Sequence, residues 1–413
     1  MKIIDGGVTS PIGFEAASAA AQIKYQGRDD MMMVYSEAPC RAAGTFTTNV
    51  VKAAPVIWDK KVTVQGTDVH AVVANAGIAN ACTGEEGLSY CKEEAEETAA
   101  AILAGKGQKI NPEDVLVAST GVIGMQLPMD RVKKGIRLLV PALGLGREDA
   151  VKAAQAVMTT DTRKKECAVT ISVKGKTVTI GGMCKGSGMI HPNMCTMLSF
   201  VMTDANISKE LLQKALSDSV QESYNMISVD GDMSTNDTCL LLANGQAGNE
   251  EITEEDEDYK AFCEALHYVN TELAKKIAGD GEGATALLEV QVKGADTKEH
   301  AKTLAKSVVE SDLVKTAIYG HDANWGRIYC ALGYAGVDFD PDKVRLSFQS
   351  KAGEVLVAEN GSGVDFDEGK AAKVLSEPEV TALIDMQAGD AEATAWGCDL
   401  TYDYVKINAD YRS

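Results

Sequence analysis

No stretch of the sequence reaches the roughly 18 consecutive apolar residues that a membrane-spanning helix needs. The first residues, MKIIDGGVTSPIGF, hold an acidic, glycine-rich turn where a signal peptide would carry its apolar core. No Cys-x-x-Cys pair occurs, and the ten cysteines share no common spacing, so neither a disulfide framework nor a zinc site is indicated. The five histidines are equally dispersed, with none paired at metal-ligand spacing. No basic patch interrupts a formal net charge of −20, which excludes a nucleic-acid partner. Nucleotide-binding loops are missing too: GLGRED near Gly144 lacks the third glycine and a preceding strand, and GGMCKGSG lacks P-loop spacing. These absences point to a cytoplasmic protein without metal, cofactor, nucleic-acid or membrane partner.

What is present is a chain of 413 residues, 45% hydrophobic, long enough for one large core or two moderate ones. Strand and helix signals alternate throughout, which predicts an α/β fold. Met31 to Tyr35 reads as a short buried strand, and RAAGTFTTNVVKAAPVIW continues in the same style. YCKEEAEETAAAILAG is a helix with an acidic start and a glycine stop; DVLVAST is a buried strand. PMDRVKKGIRLLVPAL and REDAVKAAQAVM are helical, and ECAVTISVKGKTVTIGGM turns at Lys174-Gly175 as a hairpin. Beyond residue 196 come a helix capped by Ser208, a long helix stopped by Gly279 and the helix TKEHAKTLAKSVVES. KTAIYGHDANWGRIYCALGYAG reads as strand, turn and helix, and the remainder as short strands with one helix, EGKAAKVLS. The acidic run from Glu250 suits a solvated loop or helix start.

The most informative stretch is KGSGMIHPNMCTML, Lys185 to Leu198. Gly186 and Gly188 open backbone conformations closed to other residues, Pro192 restricts His191, and Thr196 leads into the apolar run TMLSFVMTDA. Such a turn suits attack of the Thr196 hydroxyl on the carbonyl of Cys195. The ester left by the N-to-O shift is hydrolysed by water, and the new chain begins at Thr196. Its α-amine, of unperturbed pKa about 8, is a built-in base for the adjacent hydroxyl. An ordinary loop entering a strand fits the same local residues.

Further along, STGVIG ends the strand DVLVAST, where a hydroxyl and a backbone N–H can converge at Thr120 and Gly121; a strand-ending turn with a self-bonded Thr is the alternative. Thr159 and Thr160 stand beside Asp161, in a setting that fits either capping or a polar ligand. DGDMSTND fails as a calcium loop, because Thr235 stands where glycine is needed and no Glu closes the loop; it reads as a hydrogen-bonded corner. In DGEGAT, Glu282 between two glycines is free to reach an amino group or to remain a loop acid. Arg327, in NWGR, suits an anion or a structural salt bridge.

Taken together, Thr47–Asn49, Lys52–Pro55, STGVIG, KGSGM with its Thr, DGDMSTND, DGEGAT, NWGR and NADYR resemble the ornithine acetyltransferase (glutamate N-acetyltransferase) family of arginine biosynthesis over nearly the full length. The resemblance implies a layered αββα fold and self-cleavage between Cys195 and Thr196 into interlocked chains 1–195 and 196–413, two of each in a heterotetramer. It implies ping-pong transfer of acetyl from N2-acetylornithine to glutamate through Thr196. Thr120 and Gly121 take the oxyanion-hole role, and Thr159, Lys185, Glu282, Asn408 and the terminal Ser413 contact substrate. Acetyl-CoA as a second acetyl donor stays open. The chain departs from the family pattern at Ile78 for Asn, Cys195 for Ala, Ala286 for Lys and Ser413 for Thr. A self-cleaving amidohydrolase or aminopeptidase and an uncut binding protein are the competing readings.

Overall fold

The computed structural model of the chain describes residues 1–65, 68–191 and 197–410. They form two compact units that interleave along the sequence: residues 1–65, 68–186, 197–224 and 233–273 make the first, and 187–191, 225–232 and 274–410 the second.

The first unit carries β1 (Lys2–Ile4), β2 (Phe14–Ala19), β3 (Met31–Phe46), α1 (Ala54–Gln65), β4 (Val69–Ile78), α2 (Gly84–Lys106), β5 (Val115–Val122), α3 (Met129–Ala142), α4 (Arg147–Ala156), β6 (Lys165–Val173) and β7 (Lys176–Lys185). β8 (Leu198–Thr203), α5 (Lys209–Glu222), β9 (Thr238–Ala243) and most of α6 (Glu257–Ala278) complete it. Its strands run in the order β1-β6-β7-β8-β9-β3-β4-β5, with β2 on β3.

The expected short strand at Met31 is a 16-residue strand whose register breaks between Tyr35 and Cys40. Its first half pairs with β2 and β4 and its second half with β9, so one strand serves two sheet halves. Those halves stack. Met32, Val34, Val72 and Leu116 meet Met183, Phe200, Met202 and Leu240 in one buried cluster. On the opposite face Met31, Met33, Tyr35, Val73 and Val117 pack against Cys91, Ala95 and Ile102 of α2 and Ile136 and Leu139 of α3. A strand buried on both faces needs apolar residues in succession rather than in alternation, which the run MMMVY supplies. Each such side chain contributes roughly 1.5–3 kcal/mol on burial. α5 and α6 cover the outer face of the other half: Gln213 bonds Gly44 through both its amide atoms, at 3.1 Å each, and Leu273 lies against Gly182. The αββα order implied by the resemblance is thus the order of this unit.

Local expectations hold at the β6–β7 hairpin, where Lys174 and Gly175 both take positive φ, and at Ser208, whose hydroxyl accepts from Leu211 N–H. Three do not. Val56–Trp58 lies in α1, not in a strand; its Trp58 Nε1 donates to Val115 O at 3.0 Å. α2 passes Gly105 and stops at Gly107, which takes the left-handed cap. Lys315–Tyr319 is helical.

That last segment belongs to the second unit. This unit has β10 (Leu287–Ala295), α7 (Lys298–Glu310), α8 (Asp312–Tyr319), α9 (Trp325–Gly333), β11 (Arg345–Ser350), β12 (Gly353–Glu359), β13 (Ser362–Gly363), α10 (Glu368–Leu375), β14 (Glu379–Asp385), β15 (Ala391–Cys398) and α11 (Tyr402–Ala409). Its sheet runs β13-β12-β11-β14-β10-β15, with only β10 and β14 parallel. Ser311 caps α8 by accepting from Val314 N–H, and that cap decides the five-residue run KTAIY, too short for its periodicity to separate helix from strand. α11 is a second C-terminal helix where only short strands were expected. Arg327 Nη1 donates to Leu313 O at 2.7 Å and the Thr316 hydroxyl at 3.2 Å.

Behind the first unit's sheet, α1 and α2 bury two carboxyls. Asp59 Oδ1 accepts from Val117 N–H at 2.9 Å; its other oxygen and both oxygens of Glu94 have no partner among the described residues. Burial, aided by Glu93, raises the Glu94 carboxyl to about 8. Burial also pushes Asp59 well up, against the Val117 bond and with Glu94 adding to the rise. A carboxyl with a folded pKa above its ordinary 4.5 favours the fold fully below that value and loses this stabilisation as pH rises to about 8, by about 1.4 kcal/mol per pH unit. Glu94→Gln is therefore expected to gain melting temperature over the wild type progressively between pH 5 and 8; a constant difference across that range refutes the assignment.

Candidate active site

β4 and β5 run parallel with Ala76 opposite Thr120 and Gly77 opposite Gly121. The Thr-Gly pair thus lies within β5, not in a turn beyond it as expected, because strand pairing continues to Val122. The two glycines meet where no side chain fits: Gly121 has φ +133°, and a Cβ there would stand 2.2 Å from the Gly77 carbonyl carbon. Asn236, from DGDMSTND, clamps this strand end by donating to Ala79 O at 2.6 Å and Ser119 O at 2.8 Å. Ile78 faces the apolar core, so the position where the family has Asn carries no polar group here.

Thr120 is buried, and its hydroxyl oxygen accepts from Lys185 Nζ at 3.3 Å. A hydroxyl that accepts from an ammonium keeps its own hydrogen to donate and is a stronger donor for it. Lys185, also buried, ends β7. Next to it, Asp161 Oδ1 accepts from Gly186 N–H at 2.8 Å and from Lys165 Nζ at 2.7 Å, while Oδ2 accepts from Thr159 N–H at 3.2 Å. Burial works to raise the Asp161 carboxyl, but the ammonium groups of Lys185 and Lys165 and these bonds bring it below its ordinary value. Asp237 has the opposite balance. Burial lifts it well above the ordinary range, although Thr47, Ser234, Lys185 and Met197 N–H favour the anion. Met197 is the residue after Thr196.

In the second unit, Glu282 is buried, and its N–H donates to Ser187 O at 3.1 Å. Its carboxylate lies against Gly188, where a Cβ would stand 2.3 Å from Oε2, and Asn408 Nδ2 donates to that oxygen at 2.7 Å. Gly188 is needed for space and not for its dihedral: the positive φ values of this segment belong to Ser187, +103°, and Met189, +57°. Asp230 holds Met189 and Ile190 through their N–H groups at 2.7 and 2.8 Å, which makes the start of DGDMSTND the hydrogen-bonded corner that was expected. Asp399 anchors Thr285 and Ala286, accepting from their N–H groups at 2.8 and 3.0 Å.

The structure therefore groups Thr120, Gly121, Lys185 and, through Asp161, Thr159; separately it groups Glu282 with Asn408. Cys195, Thr196 and Ser413 lie outside the described residues. The buried pair Asp161–Lys165 and the carboxyl of Asp237 escaped the sequence reading. The signal was the charged pair Lys165-Glu166 heading the apolar stretch CAV of β6.

The sequence model of the ArgJ family matches residues 15–413. The chain belongs to the ArgJ family. Its ArgJ relatives include the arginine biosynthesis bifunctional protein ArgJ 1 of Clostridium acetobutylicum, 54% identical over 97% of this chain and 96% of the relative. The arginine biosynthesis bifunctional protein ArgJ of Thermotoga neapolitana is 52% identical over 98% and 99%. Among solved structures, the arginine biosynthesis bifunctional protein argJ of Bacillus halodurans is 45% identical, covering 50% of this chain and 95% of its own, with a TM-score of 0.47. The ornithine acetyltransferase of Mycobacterium tuberculosis, complexed with ornithine, is 41% identical, covering 46% and 98%, with a TM-score of 0.43. No helix among the described residues is long and apolar enough to cross a membrane.

Proposed function

We propose that this ArgJ-family enzyme moves acetyl from N2-acetylornithine to glutamate by a ping-pong reaction through an acetyl ester on Thr196. Membership over the whole chain carries the reaction class. The roles of individual residues follow from their chemistry. The Thr196 hydroxyl attacks the carbonyl of Cys195, the C–N bond breaks so that the amide becomes an ester and the Thr196 amine is freed, and water then hydrolyses the ester to a Cys195 carboxylate and the free Thr196 hydroxyl. That amine takes the proton of its own hydroxyl as the oxygen attacks the acetyl carbonyl, and passes it to the leaving ornithine amine. The Thr120 hydroxyl, already polarised by Lys185, and Gly121 N–H receive the oxyanion. Glutamate then takes the acetyl group and restores the free hydroxyl.

Lys185 meets a substrate carboxylate and Glu282 an ammonium, with Thr159, Asn408 and Ser413 as further contacts. The Cys195 side chain has no part in the attack, since the residue before the cut supplies only its carbonyl. β8 begins two residues after Thr196 and is bonded to β7 and β9, so chains 1–195 and 196–413 stay joined after cleavage. Two of each form the working assembly, in the cytoplasm, and acetyl-CoA is the candidate second donor.

Intact mass under denaturing conditions, with sequencing of each amino terminus, is the test. Two chains, one starting at Thr196, are expected, together with N-acetylglutamate from acetylornithine and glutamate. A single chain of 413 residues would sink the reading. Release of acetate in place of N-acetylglutamate would turn it into a hydrolase.

A further inference from the structure

The deepest charged group near Lys185 is one that the acetyl-transfer chemistry leaves unused. The Asp161 side chain has no solvent exposure, and the ammonium paired with it, Lys165, is 1% exposed. A buried ion pair contributes little net stability, and replacing it by apolar residues is often neutral or better, so its retention calls for another reason. Here the carboxylate does more than pair with Lys165. It ties its own turn, through the N–H of Thr159 two residues before it at 3.2 Å, to the N–H of Gly186 after β7, 25 residues on, at 2.8 Å. Both belong to, or adjoin, residues given substrate contacts above.

We infer that Asp161 is a positioning residue for the acyl donor: by accepting from Thr159 N–H and Gly186 N–H it fixes Thr159 and Lys185 at one spacing, which selects donors that carry an α-carboxylate. The inference rests on the acetyl-transfer reading of the same site. Hydrogen bonds to a charged acceptor are the strong ones, and the backbone on both sides is held without a side chain of its own at the contact. Loss of the charge frees the end of β7 and the 159–161 turn from each other, while Gly121 and Thr120 keep their places in the β4–β5 pairing. Recognition of the carboxylate is lost for the carboxylate-bearing donor alone, whereas any cost that reaches the acyl-transfer step through the Lys185–Thr120 bond falls on every donor alike.

The test compares N2-acetylornithine with N-acetyl-1,4-diaminobutane, which is the same donor without its carboxylate, in the wild type and in Asp161→Asn and Lys165→Met variants. Asp161→Asn is expected to raise KM for acetylornithine at least tenfold, with any fall in kcat equal within threefold for the two donors, since the Lys185–Thr120 bond serves both. KM for the carboxylate-free donor should change less than threefold, so discrimination between the two falls about tenfold. Lys165→Met leaves the two backbone bonds in place and should keep the wild-type discrimination within threefold, even if it melts at a lower temperature. Unchanged discrimination in folded Asp161→Asn overturns the inference and makes the residue purely structural. Collapse of discrimination in Lys165→Met overturns it equally, and that variant decides the matter alone should Asp161→Asn not fold. Failure of the wild type to transfer acetyl from acetylornithine at all would instead refute the reading on which the inference rests.

Discussion

Thr196→Ala is expected to give one uncut chain of 413 residues with no measurable acetyl transfer, a loss of about 10⁴-fold or more. The substitution removes a methyl group and one oxygen, and in the proposed reaction that oxygen has two successive tasks. Without it the Cys195–Thr196 amide cannot become an ester, so no new amino terminus forms. Without that terminus there is neither a base for the nucleophile nor a nucleophile for the base. Thr196→Ser separates oxygen from methyl and should still be cut. Cys195→Ala should be cut at least as fast as the wild type, since the carbonyl is unchanged and the side chain becomes smaller. In the wild type, transfer should rise with pH through about 8, as the freed α-amine loses its proton and becomes a base. Intact mass and a direct assay of N-acetylglutamate check all of these. Normal cleavage of Thr196→Ala would place the nucleophile elsewhere.

Much of this architecture was legible before any coordinates, for reasons that differ from element to element. The β6–β7 turn was readable because Lys174-Gly175 supplies the two positive-φ positions that a tight hairpin requires. The α5 start was readable because a hydroxyl three residues before an amide N–H is a local device. α8 was not, since KTAIY is too short for periodicity to separate helix from strand, and the deciding bond is made by Ser311 just upstream. β3 was read as two strands because its register break follows from pairing with β4 and β9, partners 23 or more residues away in sequence.

The site divides in the same way. Residues given chemical roles in the proposed reaction, such as Thr120, Lys185 and Glu282, stand in glycine-rich motifs that singled them out. Asp161 was read as capping material because its defining contacts, Lys165 and Gly186, come from two strands that meet only in the fold. Gly186 and Gly188 were assigned to backbone strain, yet it is Ser187 and Met189 that carry the positive φ. Gly188 instead makes room for a carboxylate that the sequence places 94 positions later.

Gly121→Ala is expected to cost both stability and rate, and the two costs have one origin. The added Cβ would stand 2.2 Å from the Gly77 carbonyl carbon, 2.3 Å from its oxygen and 2.6 Å from Ile78 N. All three are backbone atoms of the adjacent parallel strand, so no side chain can turn aside. β4 and β5 must separate by more than about 1 Å to restore ordinary contact, at roughly 1–3 kcal/mol for the overpacking. A residue with a side chain held at φ +133° adds about 1–3 kcal/mol of backbone strain. The displaced strand carries Thr120, whose hydroxyl is aimed by Lys185 and by the Asn236 clamp at Ser119 O. Misplacing one oxyanion donor costs about 10²–10³ in rate, which sets the expected loss of kcat. Gly124→Ala supplies the control. Gly124 also has positive φ, +82°, but nothing lies within 4 Å of its would-be Cβ. It should show the strain without the collision: a modest fall in melting temperature and near-normal transfer. Equal behaviour of the two variants would mean that the contact between Gly77 and Gly121 does not hold the oxyanion pair in place, and the role given to Thr120 and Gly121 would fall with it.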